Sequence, residues 1–268
     1  MLKQRVLTAL ALVGGLLLAL FQLPFAWVAS LFLVVVALGG WEWAGLLKMG
    51  PGARRGYALA LLLPCIALWW AQMPMPFLQA VFFLSLGFWC LVVPVWFRRK
   101  WLLKNDLTGW FIGGLLLIPS WAGMVLLQQQ GPKTLLAAMA VVWVADIAAY
   151  FTGRLFGRHK LAPQISPGKT WEGAAGAVVG VLAYGLTLAF VSGRADHWQA
   201  AQWGLAVAIL LVLTILSIAG DLFESLAKRQ AGLKDSGRLL PGHGGVLDRI
   251  DSLTATLPLA ALLATAFP

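Results

Sequence analysis

An all-α, polytopic membrane protein is the fold class predicted by this sequence, and three observations predict it. Of 268 residues, 60% are hydrophobic and 11% charged, with a mean hydropathy of +0.84, more apolar content than the core of a water-soluble domain needs. The apolar residues fall in runs of about 20, enough to cross roughly 30 Å of hydrocarbon as helix. The basic residues fall in alternate loops between those runs, the pattern that orients a membrane chain.

Nine segments are expected: 6–23, 25–46, 57–72, 77–97, 110–128, 134–152, 172–191, 203–222 and 246–267. Lys3 and Arg5 precede the first, which has the outline of a secretory signal. No convincing small-residue cleavage site follows, and a retained first helix is expected. Pro24 separates it from the second, where "FLVVVAL" and nearby tryptophans read as lipid-facing scaffold with interfacial aromatic anchors. Segments three and four hold Cys65 and Cys90 within apolar runs, where they read as small core residues, not a disulfide framework. The fifth closes a scaffold part, residues 1–130. Beyond it, in residues 131–268, charge appears at membrane depth: Asp146 interrupts the sixth segment, and Asp221 and Glu224 end the eighth. Asp248 and Asp251 open the ninth. The seventh carries "GAAGAVVGVLAYG", in which Gly176 and Gly180 form a GxxxG pattern for close helix packing, with a homodimer contact as the alternative. No repeat and no loop long enough for a soluble domain is visible, so one membrane domain is expected.

The net charge of +10 follows topology. Eighteen of the 20 lysines and arginines lie in alternate loops that include both large polar segments, and the other side holds Lys133 and Arg194. The N-terminus and both polar loops are therefore expected in the cytoplasm, and nucleic acid is not an expected partner.

An ionised acid near mid-bilayer costs about 2.5–3.5 kcal/mol on insertion scales, so each acid there needs a partner or a task. On a helix Asp221, Glu224, Ser225 and Lys228 share one face, as do Asp248 and Asp251. A short loop lets these helices lie antiparallel and bring Asp221 towards Asp248, where hard oxygen donors suit Mg2+ bridged to phosphate. Simple charge pairing of Asp248 with Arg249 or Lys228 is the alternative. Lys228, Arg229, Lys234, Arg238 and Arg249 surround the acids, and "GHGG" (242–245) offers a backbone that approaches a phosphate closely. His243 reads either as a loop-fixing residue or as one acting on substrate. The second polar segment, "SPGKTWEG" (166–173), is not a nucleotide P-loop: Pro163 stands where its first glycine belongs and no strand is expected before it. Lys169 followed by Thr170 and Glu172 remains as an anion-binding helix start or an ordinary cap. No serine triad, HExxH or activated cysteine is present, which disfavours a covalent nucleophile. A transporter would also use intramembrane acids, but it predicts an inverted repeat that is not visible.

"SLAKRQAGLKDSGRLLPGHGGVLDRIDS" (225–252) resembles the signature of the phosphatidate cytidylyltransferase, or CDP-diacylglycerol synthase, family, and "SPGKTWEG" resembles a second motif of it. Two departures are Ala227, where a larger apolar residue is usual, and Gly168, where a second lysine is common. CDP-alcohol phosphotransferases fit less well, because they need acids four apart and Asp248 and Asp251 are three apart. The resemblance implies transfer of CMP from CTP to phosphatidate in a bacterial cell (inner) membrane, with the active site facing the cytoplasm. It implies Mg2+, as one ion or two and with or without a monovalent cation, on Asp221 and Asp248 with Asp251 and Asp146 close by. Lys228, Arg229, Lys234, Asp235, His243 and Arg249 are the implied catalytic set. Ser166, Lys169, Thr170, Ser225, Gly244 and Gly245 are the implied substrate-binding set. A polar cavity open both to lipid and to cytoplasm is expected near Asp248, since one substrate is a lipid and the other a soluble polyanion.

Overall fold

The computed structural model describes residues 2–70, 74–193 and 195–266, with side chains from residue 7 onward. Arg194 and the ends of the third and ninth expected segments, 71–72 and 267, lie outside them. The described residues form nine helices: α1 Leu2–Gln22, α2 Phe25–Leu46, α3 Pro51–Trp70, α4 Met75–Arg99, α5 Leu107–Gln130, α6 Pro132–Phe156, α7 Trp171–Val191, α8 Ala200–Ala231 and α9 Leu247–Ala266. Six of them, α2 and α4 to α8, are long and apolar enough to cross a membrane. Large apolar side chains such as Leu63, Leu91, Phe111 and Val179 stand exposed around the bundle, as expected where the solvent is lipid.

The centre is α5, which buries sixteen residues from Gly109 to Gln128, whereas α7 buries four. Asp106 caps α5 by accepting from the Gly109 amide at 3.0 Å, and Trp43 of α2 donates to the Gly109 carbonyl at 2.9 Å. Within α4, one π-helical turn spans Phe88–Val92 just before Pro94, whose missing N–H and bulky ring favour such a distortion. That turn presents Phe88 and Trp89, which with Trp96 meet the ring of Phe223 on α8 edge-on at 5.5 to 5.7 Å. The amino-terminal helices thereby fix the turn of α8 that carries Asp221 and Glu224.

Three features differ from the expectation. First, α8 runs past residue 222 to Ala231, because Lys228 pairs with Glu224 one turn back and Gly232, at φ +79°, closes the end in the left-handed region. Second, residues before α7 form a small antiparallel hairpin, β1 Lys160–Ala162 with β2 Ser166–Thr170. Pro163 sits second in its turn, closed by the Ile165 amide on the Ala162 carbonyl at 3.1 Å. Third, Cys90 is exposed on α4, where a core position was expected for it as for the buried Cys65. The GxxxG pair supplies the close helix packing expected of it, within the chain. A Cβ on Gly176 would fall 2.0 Å from Thr152, and one on Gly180 2.7 Å from Ala148, so both glycines seat α7 against α6.

Candidate active site

The two polar segments meet at the carboxyl-terminal part of α8. β2 delivers Lys169 to a salt bridge with Asp221 Oδ2, and Ser225 donates to Asp221 Oδ1 at 3.2 Å. Thr170 caps α7 by accepting from the Gly173 amide at 3.1 Å. Arg229 donates to the Ile165 carbonyl in the hairpin turn at 3.4 Å and to the Leu233 carbonyl at 3.3 Å. At the hairpin base, Glu172 accepts from the His159 amide at 3.2 Å and pairs with the His159 ring at 2.7 Å.

A cavity of about 460 Å3 opens where α6, α7, α8 and the hairpin meet. Asp146, Asp221, Lys169, Ser166 and Thr170 give it a polar wall, and Tyr150, Ala174 and Ala177 an apolar one. Tyr150 belongs to an exposed apolar row of α6 with Ile147 and Phe151, so one side of the cavity borders the lipid-facing surface. Asp251 of α9 lies within electrostatic reach of Asp221 and Asp146, and Arg249 within reach of Asp146. Gly220 permits this approach: a Cβ there would stand 2.7 Å from the Asp251 carbonyl. The cavity centres on Asp146 and Asp221, not on Asp248 as the sequence led us to expect.

Asp248 has other partners. Its Oδ1 accepts from Lys228 at 2.6 Å, and Lys228 also contacts Glu224 at 2.6 Å. Its Oδ2 accepts from the Ser236 amide at 2.9 Å, the Ser236 hydroxyl at 3.0 Å and the Gly245 amide at 2.8 Å. Asp221 thus pairs with Lys169, and Lys228 sits between Glu224 and Asp248, the charge pairing of Asp248 that the sequence offered as the alternative. Asp248 retains only Oδ1 for a metal, and only when Lys228 moves. The Gly245 amide, expected to face a phosphate, is committed to Asp248. Gly244 takes φ +79° and accepts from the Leu240 amide at 2.9 Å, making the bend a β-carbon would strain. His243 donates its amide to the Leu240 carbonyl at 2.9 Å, and its Nδ1 is buried without a partner among the described residues. Lys234 and Asp235 stand exposed on the loop, away from the cavity lining.

One residue of this site was missed from sequence. Glu42, on α2, is 5% exposed and accepts from Ser236 Oγ at 2.9 Å, Val246 N at 3.0 Å and Leu247 N at 2.8 Å. It thus caps α9 and pins the loop from both ends. A Cβ on Gly237 or Gly245 would fall 2.3 Å from its carboxylate, which explains why the loop has glycine at both places. The available signal was a lone acid in a long apolar run, the same signal that singled out Asp146.

The donor set fits a hard divalent cation. Asp146, Asp221, Glu224, Asp248 and Asp251 gather on α6, α8 and α9, while two ammonium groups, of Lys169 and Lys228, touch them. Glu224 Oε1 is buried with no partner among the described residues. No three His, Cys, Asp or Glu side chains among the described residues stand close enough together to hold a metal ion by themselves.

Comparison with known proteins places the chain in a family. The family model described as "Cytidylyltransferase family" matches residues 3–267. A phosphatidate cytidylyltransferase of Pseudomonas aeruginosa is 41% identical over 98% of this chain and 97% of its own length. Its counterpart in Haemophilus influenzae is 38% identical over 96% of both. One from Brucella suis is 51% identical over 51% of this chain and 48% of its own length.

Proposed function

The chain belongs to the cytidylyltransferase family, and we propose that it transfers CMP from CTP to phosphatidate, giving CDP-diacylglycerol and pyrophosphate. The observation that carries this reading is the Lys169–Asp221 salt bridge, which joins the hairpin motif to the acid cluster at a cavity between membrane helices. A polyanion and a lipid both need access to such a place, and its polar wall and lipid-bordering wall supply the two approaches.

Mg2+, as one ion or two, would be held by Asp221 and Asp248 with Asp251 and Asp146, and when bound it supplies positive charge against the triphosphate. A monovalent cation is compatible with the remaining carboxylate excess. The chain's own contribution is positioning and charge stabilisation. Lys169 and Lys228, held on carboxylates without substrate, exchange those partners for phosphate oxygens, with Arg229, Arg249 and Lys234 adding charge around the leaving group. Ser166 and Thr170 line the same wall and Ser225 braces it through Asp221, while the loop of Asp235, His243, Gly244 and Gly245, outside that lining, would act on substrate only where it extends beyond the cavity. A phosphatidate oxygen forms the new bond to the α-phosphorus while the bond from that phosphorus to the oxygen bridging the β-phosphate breaks. The electron pair leaves with pyrophosphate. A phosphate nucleophile is already anionic, so no residue has to become covalently attached.

The positive-inside pattern supports a reading in which the N-terminus and both polar segments face the cytoplasm, and the same reading has all nine helices crossing a bacterial inner membrane. The test is purified protein incubated with phosphatidate and labelled CTP, with and without Mg2+. Lipid-extractable CMP label and pyrophosphate should appear in equal amounts and only with the metal. A folded sample that yields neither product from any phosphatidate overturns the reading.

A further inference from the structure

A second concavity, of about 970 Å3, lies between α4 and α5 and is bounded at one end by the connecting segment 100–106. Its volume is at the upper end of the roughly 300–1,000 Å3 usual for small-molecule sites. Phe83, Leu84, Leu91, Leu102 and Phe111 give it apolar walls. Arg99, Lys100 and Lys104 stand together at one end. The π-helical turn of α4 and the bare backbone of Gly87 leave the groove open. Lys100, at φ +53°, ends α4 in the left-handed region and turns the chain across the groove mouth.

None of the three bases forms a salt bridge among the described residues, and the Lys100 ammonium donates only to Gln164 at 2.7 Å. The one acid on the lining, Asp106, has Oδ1 engaged with the Gly109 amide. Three cations against one carboxylate leave an excess of positive charge at the mouth of an apolar groove, which complements a ligand with an anionic head and hydrocarbon tails. We propose that this groove holds one anionic phospholipid, its phosphate on Arg99, Lys100 and Lys104 and an acyl chain along the α4–α5 walls.

The site is distinct from the cavity at Asp146 and Asp221, with which it shares no lining residue. Its rim nevertheless touches both segments that build that cavity. Gln230, near the end of α8, donates to the Trp101 carbonyl and accepts from the Leu103 amide, both at 2.8 Å, and Gln164 lies in the hairpin turn.

The test needs no turnover. The full chain in phosphatidylcholine vesicles receives a trace of either phosphatidylglycerol or phosphatidylcholine with a photoactivatable acyl chain, and cross-linked peptides are mapped. Peptides from α4 and α5 that line the groove should label at least about fivefold more strongly with phosphatidylglycerol, the effect of even one base beside an anionic headgroup. The R99Q/K100Q/K104Q variant should erase that preference. Leu91→Trp, at an exposed wall position, should lower labelling with every base retained. Equal labelling by the two probes in the unsubstituted protein, or a preference untouched by both variants, overturns the proposal.

Discussion

The loop pinned by Glu42 and the acid cluster around Asp221 both concentrate carboxylates within apolar surroundings, and they solve the problem in opposite ways. Glu42 accepts from two backbone amides and Asp248 Oδ2 from two more, and the Ser236 hydroxyl lies between them with one hydrogen for the pair. A buried acceptor satisfied in this way is structural, because its donors hold one geometry. Asp221, held by Lys169 and Ser225, and Asp146 instead line a cavity, Asp251 adds its charge, and Glu224 Oε1 has no partner among the described residues. The carboxylates held by neutral donors fix the loop, whereas Asp221, on the cavity wall, is held by a lysine that substrate phosphate would take over in the proposed reaction.

Five substitutions break or sharpen that contrast. Asp221→Asn keeps the shape and removes the charge, so turnover of labelled CTP should fall by about 10²–10³, the scale of losing one charge-stabilising group. Its thermal midpoint should change little, and turnover within tenfold of the parent breaks the contrast. Lys228→Met strands Glu224 and Asp248 together at a buried site, and losing one partner of such a pair costs about 3–5 kcal/mol. Thermal unfolding should register that loss, whereas Lys169→Met, whose pair is about a quarter exposed, should cost no more than about 1 kcal/mol while still impairing turnover. Equal destabilisation by both would mean that the cavity pair is structural too.

Glu42→Gln turns an amide donor towards donors, and leaving one unsatisfied costs about 1–3 kcal/mol. Faster protease cleavage between residues 236 and 245 and reduced turnover should accompany it, and an unchanged cleavage rate would remove Glu42 from its role as the loop's anchor. Gly168→Lys should have the smallest effect. Nothing lies within 4 Å of the place of its Cβ, and the position lines the cavity. A lysine there should lower the KM for CTP by up to about fivefold, the most an exposed ion pair gives, and a raised KM would show that phosphates bind elsewhere.

Much of this was legible in the chain. The apolar runs foreshadowed the helices, since spanning length and hydropathy are local properties. Asp146, Asp221 and Asp251 stood out because a charge at membrane depth is expensive wherever it folds. The extension of α8 to Ala231 was also written locally, in Glu224, Lys228 and Gly232, but hydropathy alone stops at the charges. The hairpin at 160–170 was hidden because three- and five-residue strands carry almost no periodic signal.

By itself the sequence determined the membrane class, the placement of the polar segments and the identity of the acids and bases, because these depend on composition and on spacing along one segment. Only the tertiary structure decided which acid meets which base. Lys169 reaches Asp221 from 52 positions away, and Glu42 reaches Leu247 from 205. Such pairings arise from helix packing, set by close approaches such as Gly176 on Thr152 and Gly220 on Asp251. Spacing along the chain does not encode them, because any of these acids would be neutralised equally well by any base the packing brought to it.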